Sequence, residues 1–227
     1  MKRVQLLDLW RSFAILLMVA FHFWYDLYLF DFVPFESLLG PVAGVLADAS
    51  AGSFMMVSGA AAHFSRSNVR RGFRLFLISV ALTFVTTLAN FPIKFGILHF
   101  LGTCMMLYGA VGERKIFTSK FVPLVCVALF IILRHITDEV QVSLKFLYPL
   151  GFRYPGFVSM DYYPLLPWIF LFIIGIWLGS VIKRHRESPL LNKKFHPALT
   201  FLGRHSLVVY AVHQPVLLTL FYLITRL

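Results

Sequence analysis

The sequence is poor in charged residues. Asp, Glu, Lys and Arg make up 14% of the 227 residues, whereas 59% are hydrophobic. An average soluble domain contains about 25% charged residues. A soluble chain of this length buries only roughly 70–75% of the surface that its unfolded form exposes, so it has no room to hide so many apolar side chains from water. The composition excludes an ordinary soluble domain and indicates an integral membrane protein. We therefore expect the lipid bilayer among its partners.

Acidic residues are the scarcest charged class. The chain has 10 Asp and Glu against 21 Lys and Arg, which gives a formal net charge of +11. In a soluble protein such an excess would suggest nucleic-acid binding, but in a membrane protein it is typical of cytoplasmic loops. Because the apolar runs leave no soluble domain to carry a basic patch, we predict no nucleic-acid partner.

Cysteine is also rare. Cys104 and Cys126 are the 2 cysteines of the chain, and both fall inside apolar runs. The sequence has no Cys-x-x-Cys pair and no Cys/His spacing of the kind that binds a metal. We therefore expect packing roles for both thiols and no metal site.

Long apolar runs dominate what is present. Seven of them approach the roughly 20 residues that a helix needs to cross the hydrocarbon core. They are Leu9–Phe30, Leu39–Phe64, Phe73–Phe91, Phe95–Gly112, Phe121–Ile136, Pro164–Ile182 and Leu202–Leu223. We predict an all-α fold, a polytopic membrane helix bundle of about seven transmembrane helices, forming a single domain over residues 1–227.

The distribution of Lys and Arg between the connections predicts the orientation. Their density alternates between high and low from one connection to the next. Placing the N-terminus inside leaves only five basic residues outside: Lys94, Arg134, Lys145, Arg153 and Arg226. Since cytoplasmic loops are the ones enriched in Lys and Arg, this pattern predicts an N-terminus inside and a C-terminus outside in a cell membrane.

The first apolar run carries four ionisable residues on one face. Asp8, Arg11, His22 and Asp26 fall within about a 60° arc of a helix. An ionisable group at bilayer depth is a functional candidate by default. Asp26 lies one turn after His22, so it could accept a hydrogen bond from His22 and fix its tautomer. The alternatives are that Arg11 is an interfacial anchor and that His22 only contacts a neighbouring helix.

The last apolar run has a second polar face. Ser206, Tyr210, His213 and Gln214 follow the i, i+4, i+7, i+8 spacing of one helix side. Pro215 follows directly and predicts a kink beside His213. A polar contact between helices is the alternative explanation of this face.

Two further ionisable residues lie in other runs. His99 is about one turn from the outer end of the fourth run, between Gly96 and Gly102, which permit close backbone approach. Asp48 lies in the second run, where a carboxylate has to be protonated or matched to a cation.

Several separated motifs resemble a known family. In chain order they are Leu7-Asp8-Leu9-Trp10-Arg11 with His22, Phe95-Gly96-Ile97-Leu98-His99, Tyr163-Pro164-Leu165-Leu166-Pro167-Trp168, Gly203-Arg204-His205-Ser206-Leu207 with Tyr210, and His213-Gln214-Pro215. Together they cover most of the chain and look like the bacterial branch of the heparan-α-glucosaminide N-acetyltransferase catalytic-domain family.

This resemblance implies an integral membrane acyltransferase of the bacterial cytoplasmic membrane. Such an enzyme would move an acetyl group from cytosolic acetyl-CoA to an amine or hydroxyl of a glycan or aminosugar acceptor on the outer side. It implies His22 as the general base or a covalent acetyl carrier, Asp26 as its orienting group, and His99 and His213 in oxyanion stabilisation or a second proton step. Acetyl-CoA would be held by a basic inner rim that includes Arg11, Arg66, Arg70, Arg71, Arg74 and Arg204, and by Ser206. The acceptor would be bound by Asp48, Tyr210 and Gln214.

Other classes of function stay open at this point. Buried His and Asp sets also serve as proton relays, so a proton-coupled transporter or membrane sensor is the main alternative. Transporters often contain paired repeats with interrupted helices, and the sequence shows no convincing internal repeat. A degenerate member that assembles with another membrane protein is the third possibility.

Overall fold

The computed structural model describes residues 4–34, 36, 41–185, 187–188, 191 and 195–226. Within these residues the fold is all-helical, as predicted, and contains no β-strand. The helices are α1 (Gln5–Leu29), α2 (Pro41–His63), α3 (Asn68–Leu88), α4 (Ile97–Val111), α5 (Val122–Glu139), α6 (Leu165–Arg184), α7 (Pro197–Arg204) and α8 (Ser206–Arg226), with short 3₁₀ helices at Lys115–Thr118 and Lys145–Leu150.

Five of the helices, namely α1, α2, α3, α6 and α8, are long and apolar enough to cross a membrane. Helix α4 is apolar but has only 15 residues. Helix α5 has 18 residues and ends on the charged residues Arg134, Asp138 and Glu139. The membrane character of the chain is therefore confirmed, whereas the count of about seven spans and the orientation stay predictions.

The last apolar run differs from its prediction because it forms two helices. Helix α7 starts at Pro197, after His196, whose Nδ1 accepts a hydrogen bond from the backbone N–H of Ala198. It ends at Arg204, because the next residue, His205, leaves the helical conformation with φ −107° and ψ 23°. Arg204 and Ser206 consequently belong to different helices. Helix α8 continues through Pro215 to Arg226.

The chain divides into two compact units. The first comprises the described residues of 1–54 and 185–227, which hold α1, the first half of α2, α7 and α8. The second comprises residues 55–184, with the rest of α2 and helices α3 to α6.

In the first unit, α1 and α7 approach each other at a glycine. The backbone N–H of Gly203 donates to Oγ of Ser12 over 2.8 Å, and a Cβ at Gly203 would overlap the Asp8 carbonyl oxygen. On α2, the Ser50 hydroxyl donates to the carbonyl oxygen of Ala14 on α1 over 3.1 Å. These contacts anchor α1, which carries the polar face predicted above.

In the second unit, glycines join two pairs of helices. A Cβ at Gly72 of α3 would lie 2.6 Å from the carbonyl oxygen of Gly102 of α4. A Cβ at Gly59 of α2 would overlap the Phe172 carbonyl oxygen of α6, and one at Gly175 of α6 would overlap the Met56 carbonyl oxygen. The contact at Gly59 shows that α2 and α6 pack backbone against backbone at this point.

The connection between α5 and α6 packs on the start of α4. A carboxylate oxygen of Asp161 accepts the backbone N–H of Ile97 over 3.0 Å. The Phe157 ring lies 4.7 Å from that of Tyr162, whose hydroxyl donates to the Tyr148 carbonyl over 2.7 Å. Burial raises the pKa of Tyr162 to about 12. The aromatic side chains of this connection thus pack on one another beside the first turn of α4.

Candidate functional site

Two histidines from the two polar faces meet in the first unit. The rings of His22 on α1 and His213 on α8 have centroids 4.7 Å apart and an interplanar angle of 77°. The two residues are far apart in the sequence. The structure brings them into edge-to-face contact.

The same nitrogen carries the proton in both rings. Nδ1 of His22 lies 2.9 Å from the carbonyl oxygen of Met18, and Nδ1 of His213 lies 2.7 Å from that of Tyr210. Because a carbonyl oxygen only accepts, Nδ1 must be the donor in each case. In the neutral ring Nε2 then keeps its lone pair, so both histidines present a basic nitrogen.

Asp26 is oriented by Gln214 and not by His22. The Gln214 side-chain amide donates to Oδ1 of the fully buried Asp26 over 2.8 Å. The predicted hydrogen bond between His22 and Asp26 is therefore wrong. Helical side chains lean toward the N-terminus of their helix, so the His22 ring reaches back to the Met18 carbonyl instead of forward to Asp26.

This cluster contains three buried polar atoms that make no hydrogen bond. Among the described residues, Oδ2 of Asp26, Nε2 of His213 and Oε1 of Gln214 have no hydrogen-bond partner. A buried polar atom without a partner costs about 1–3 kcal/mol. Nε2 of His213 and Oε1 of Gln214 accept hydrogen bonds, and so does Oδ2 of Asp26 when its carboxyl group is ionised. The cluster is then complementary to a ligand rich in donors, such as an amine or a polyol.

The contact between Asp26 and Gln214 can be measured by a double-mutant cycle. Gln214→Leu removes the amide that Asp26 accepts from, so we expect the free energy of unfolding to fall by about 1–3 kcal/mol. Asp26→Leu and the double variant complete the cycle, read by thermal unfolding in detergent. Since the double variant loses both polar groups, its destabilisation should be smaller than the sum of the single effects. Strict additivity would show that the two side chains do not interact.

His99 belongs to the second unit and is packed among aromatic rings. It stacks on Phe95 with centroids 5.8 Å apart and meets the edge of Phe76 at the same distance. Its Nε2 lies 3.4 Å from the hydroxyl of Thr83, and that hydroxyl donates to the Ile93 carbonyl. Nε2 of His99 is therefore the donor to Thr83. His99 therefore has a polar partner within its own unit, the hydroxyl of Thr83. Its catalytic role stays a prediction.

The basic residues predicted to hold acetyl-CoA are divided between the units. In the first unit, Arg11 pairs with the buried Asp8 over 3.2 Å, and Arg204 is exposed on α7. The others are exposed in the second unit. Arg66 lies in the connection before α3, and the first two turns of α3 contain Arg70, Arg71 and Arg74.

The remaining predicted residues have different surroundings. Asp48 is exposed on α2, whereas Asp26 is buried on α1. Ser206 and Tyr210 are half-buried on α8. Tyr210 contributes its backbone carbonyl to His213. That contribution, like the carbonyl of Met18, was missed because residue types do not report backbone acceptors. Within the part of the chain that the structure describes, no three His, Cys, Asp or Glu side chains could hold a metal ion.

Five helices are long and apolar enough to cross a membrane, and two of them, α1 and α8, carry a half-buried histidine pair beside buried polar atoms that make no hydrogen bond. These features define a polytopic membrane protein with polar groups between its helices. The family described as heparan-alpha-glucosaminide N-acetyltransferase, catalytic, matches residues 3–215. The chain therefore belongs to this family of transmembrane acetyltransferases. The family resemblance seen in the sequence motifs is confirmed, and membership of its bacterial branch stays a prediction. Searches of curated proteins and of solved structures found no match to the chain.

Proposed function

We propose that this protein transfers an acetyl group from cytosolic acetyl-CoA to an amine or hydroxyl on the outer side of a bacterial cytoplasmic membrane. The cluster of open acceptor atoms on Asp26, His213 and Gln214 carries the proposal. It suits the N–H and O–H donors of an aminosugar or glycan, and it does not suit a phosphate. Family membership supplies the acetyl-transfer chemistry.

His22 is the general base in this proposal. Its ring is half-buried, whereas Nε2 of His213 is completely buried, so His22 is the more accessible base of the pair. As the acceptor nitrogen or oxygen bonds to the carbonyl carbon of the acetyl group, Nε2 of His22 takes the acceptor proton. The bond between that carbon and the sulfur of coenzyme A then breaks, and the proton passes to the departing thiolate. The open atoms of His213, Asp26 and Gln214 hold the acceptor in place.

The topology proposed for this reaction has about seven spans, with the N-terminus inside and the C-terminus outside. Arg11 and His22 are separated by roughly 16 Å along the axis of α1. Arg11 lies near the N-terminal end of that helix, which this orientation places inside. The basic end of α1 would then meet the phosphates of the coenzyme while the thioester reaches the histidines deeper in the membrane.

The direct test is the release of free coenzyme A by the purified protein in detergent. We expect thiol release from acetyl-CoA to depend on an added aminosugar such as glucosamine, and we expect calorimetry to detect acetyl-CoA binding without any acceptor. The affinity should fall as salt rises, because phosphate contacts are screened. A protein that binds no acetyl-CoA under these conditions would contradict the proposed function.

A further inference from the structure

Two lysines of the second unit share one aromatic ring. Nζ of Lys94 lies 5.8 Å from the ring centroid of Tyr154 and donates to its hydroxyl over 3.3 Å, and Nζ of Lys145 lies 5.8 Å from the same centroid. Nζ of Lys94 also lies 5.3 Å from the ring centroid of Phe157. Neither lysine has an ion-pair partner among the described residues. Lys94 and Lys145, called the lysine pair below, therefore bring two positive charges to one ring without a carboxylate paired to either.

The carboxylates of the same region make other contacts. Asp138 lies 3.2 Å from Nε of Arg134 and 3.4 Å from Nη2 of Arg153. Glu139 lies 3.4 Å from Nδ1 of His135. A third carboxylate accepts the backbone N–H at the start of α4, as described above. An anion that binds the lysine pair must therefore come from outside the described residues.

Backbone hydrogen bonds hold the two lysines together. The backbone N–H of Lys94 donates to Oγ of Ser159 over 2.8 Å. The backbone N–H of Met160 donates to the carbonyl oxygen of Pro92 over 3.0 Å. These bonds tie the segment before α4 to the connection between α5 and α6, which contains Tyr154 and the second lysine. The lysine pair is consequently preorganised, which lowers the entropy that a ligand has to lose on binding.

The aromatic rings beside the lysine pair pack on one another. The ring of Phe157 meets that of Tyr154 edge-to-face with centroids 5.3 Å apart, and it lies 5.6 Å from the ring of Tyr148. A sugar that stacks on an aromatic platform needs an open ring face, whereas these rings are half-buried against each other and beneath the lysines. Ammonium groups are therefore the main chemistry that this cluster offers to a ligand.

The position of the lysine pair matches the headgroup layer of a bilayer. Lys94 follows the end of α3, and the connection that carries Lys145 ends where α6 begins. Helices α3 and α6 are both long and apolar enough to cross a membrane, so these helix ends lie at headgroup depth. The connection also exposes apolar side chains outside the spanning helices, namely Leu144, Phe146, Val158 and Met160. Exposed apolar side chains beside lysines are typical of a segment that lies in the membrane interface.

We propose that the lysine pair binds the phosphate of an anionic phospholipid in the leaflet at this end of α3 and α6. Both ammonium groups donate charge-assisted hydrogen bonds to the phosphate oxygens, and Tyr154 holds them side by side. Two positive charges favour a headgroup of net negative charge over a zwitterionic one. Phe146, which is 70% exposed, lies among the acyl chains. The site uses the second unit alone and does not rest on the proposed acetyl transfer.

Native mass spectrometry of the full chain in a neutral detergent tests the site with phosphatidylglycerol and phosphatidylcholine as probes. Phosphatidylglycerol should bind more tightly. Lys145→Gln and Lys94→Gln should each weaken it about fivefold, the usual contribution of one lysine at an anionic membrane surface, and should leave phosphatidylcholine unchanged. Lys120→Gln is the matched control, because it removes an exposed lysine that also lies over an aromatic ring, that of Phe121, before the start of α5.

Several results would overturn the assignment. Equal binding of phosphatidylglycerol by wild type and Lys145→Gln would exclude the lysine pair as its site, and an equal loss in Lys120→Gln would reduce the effect to general charge. Displacement of the lipid by glycerol phosphate at the same concentration would indicate a site for free phosphate. Displacement by tetragalacturonate would indicate a site for an acidic glycan. Since Lys145 is exposed, its variant remains informative even where Lys94→Gln fails to fold.

The depth of the connection is tested separately in reconstituted bilayers. Phe146→Trp adds one indole to the four tryptophans of the chain. Phospholipids brominated on their acyl chains should quench the fluorescence of this variant more than that of wild type. Equal quenching of the two proteins would place Phe146 in water and contradict the lipid site.

Discussion

Replacing His22 with glutamine is expected to slow acetyl transfer by about 10²–10⁴-fold, the usual contribution of a positioned general base. Nδ1 of His22 donates to the Met18 carbonyl, so Nε2 is the nitrogen that takes the acceptor proton. Glutamine keeps a polar side chain of similar reach but has no basic nitrogen. The loss should appear in kcat, measured as coenzyme A release at saturating acetyl-CoA, while the affinity for acetyl-CoA changes little.

Two companion variants make this result specific. His213→Gln should lower turnover as well and should raise the KM for the acceptor, because Nε2 of His213 is an open acceptor atom in the cluster. His135→Gln is the control, since that histidine is exposed on α5 and pairs with Glu139. Wild-type turnover of His22→Gln would refute its role as the base.

The route of the acetyl group can be followed in the same proteins. With labelled acetyl-CoA and no acceptor, a direct transfer leaves no label on the denatured protein. Label that stays on wild type but not on His22→Gln would instead indicate an acetylated imidazole and contradict direct transfer.

Gly59→Ala should destabilise the second unit strongly. The new Cβ would overlap the carbonyl oxygen of Phe172, and a backbone carbonyl within a helix cannot rotate away. Overpacking typically costs about 1–3 kcal/mol, so we expect a lower melting temperature in detergent, by several degrees. Gly175→Ala should behave in the same way, because its Cβ would overlap the Met56 carbonyl from the opposite helix.

Gly44→Ala supplies the control within the same helix. A Cβ at Gly44 meets no atom within 4 Å, so this substitution adds only the helix propensity of alanine, worth up to about 1 kcal/mol. Its melting temperature should be unchanged or higher. If Gly59→Ala were as stable as Gly44→Ala, the contact between α2 and α6 would not depend on a glycine.

Much of the fold follows from local pattern. Apolar runs near the length of a membrane span predicted an all-α fold because an unpaired backbone is too costly in lipid. The end of α7 and the start of α8 near His205 could not be predicted from hydropathy. The two helices are separated by a backbone turn inside one apolar run. The bounds of α4 were predicted to within two residues, because the apolar run Phe95–Gly112 contains the helix Ile97–Val111.

The candidate site was predictable in part. Helical spacing placed His22 and Asp26 on one face, and His213 and Gln214 on another, and the structure joins these two faces. The partners within the site were not predictable. Asp26 takes its hydrogen bond from Gln214 across the helix pair, whereas His22 turns to the carbonyl of Met18.

By itself, the sequence determined the membrane class of this protein, its helical build, its family motifs and the faces that carry ionisable groups. The membrane class follows from composition, and the faces follow from the periodicity of residues along one helix. Only the tertiary structure decided that His22 contacts His213, that Gln214 orients Asp26, and that Lys94 and Lys145 meet at Tyr154. The physical reason is that periodicity defines a face but not the neighbour against which it packs. Contacts across helices and backbone carbonyls then compete for each side chain.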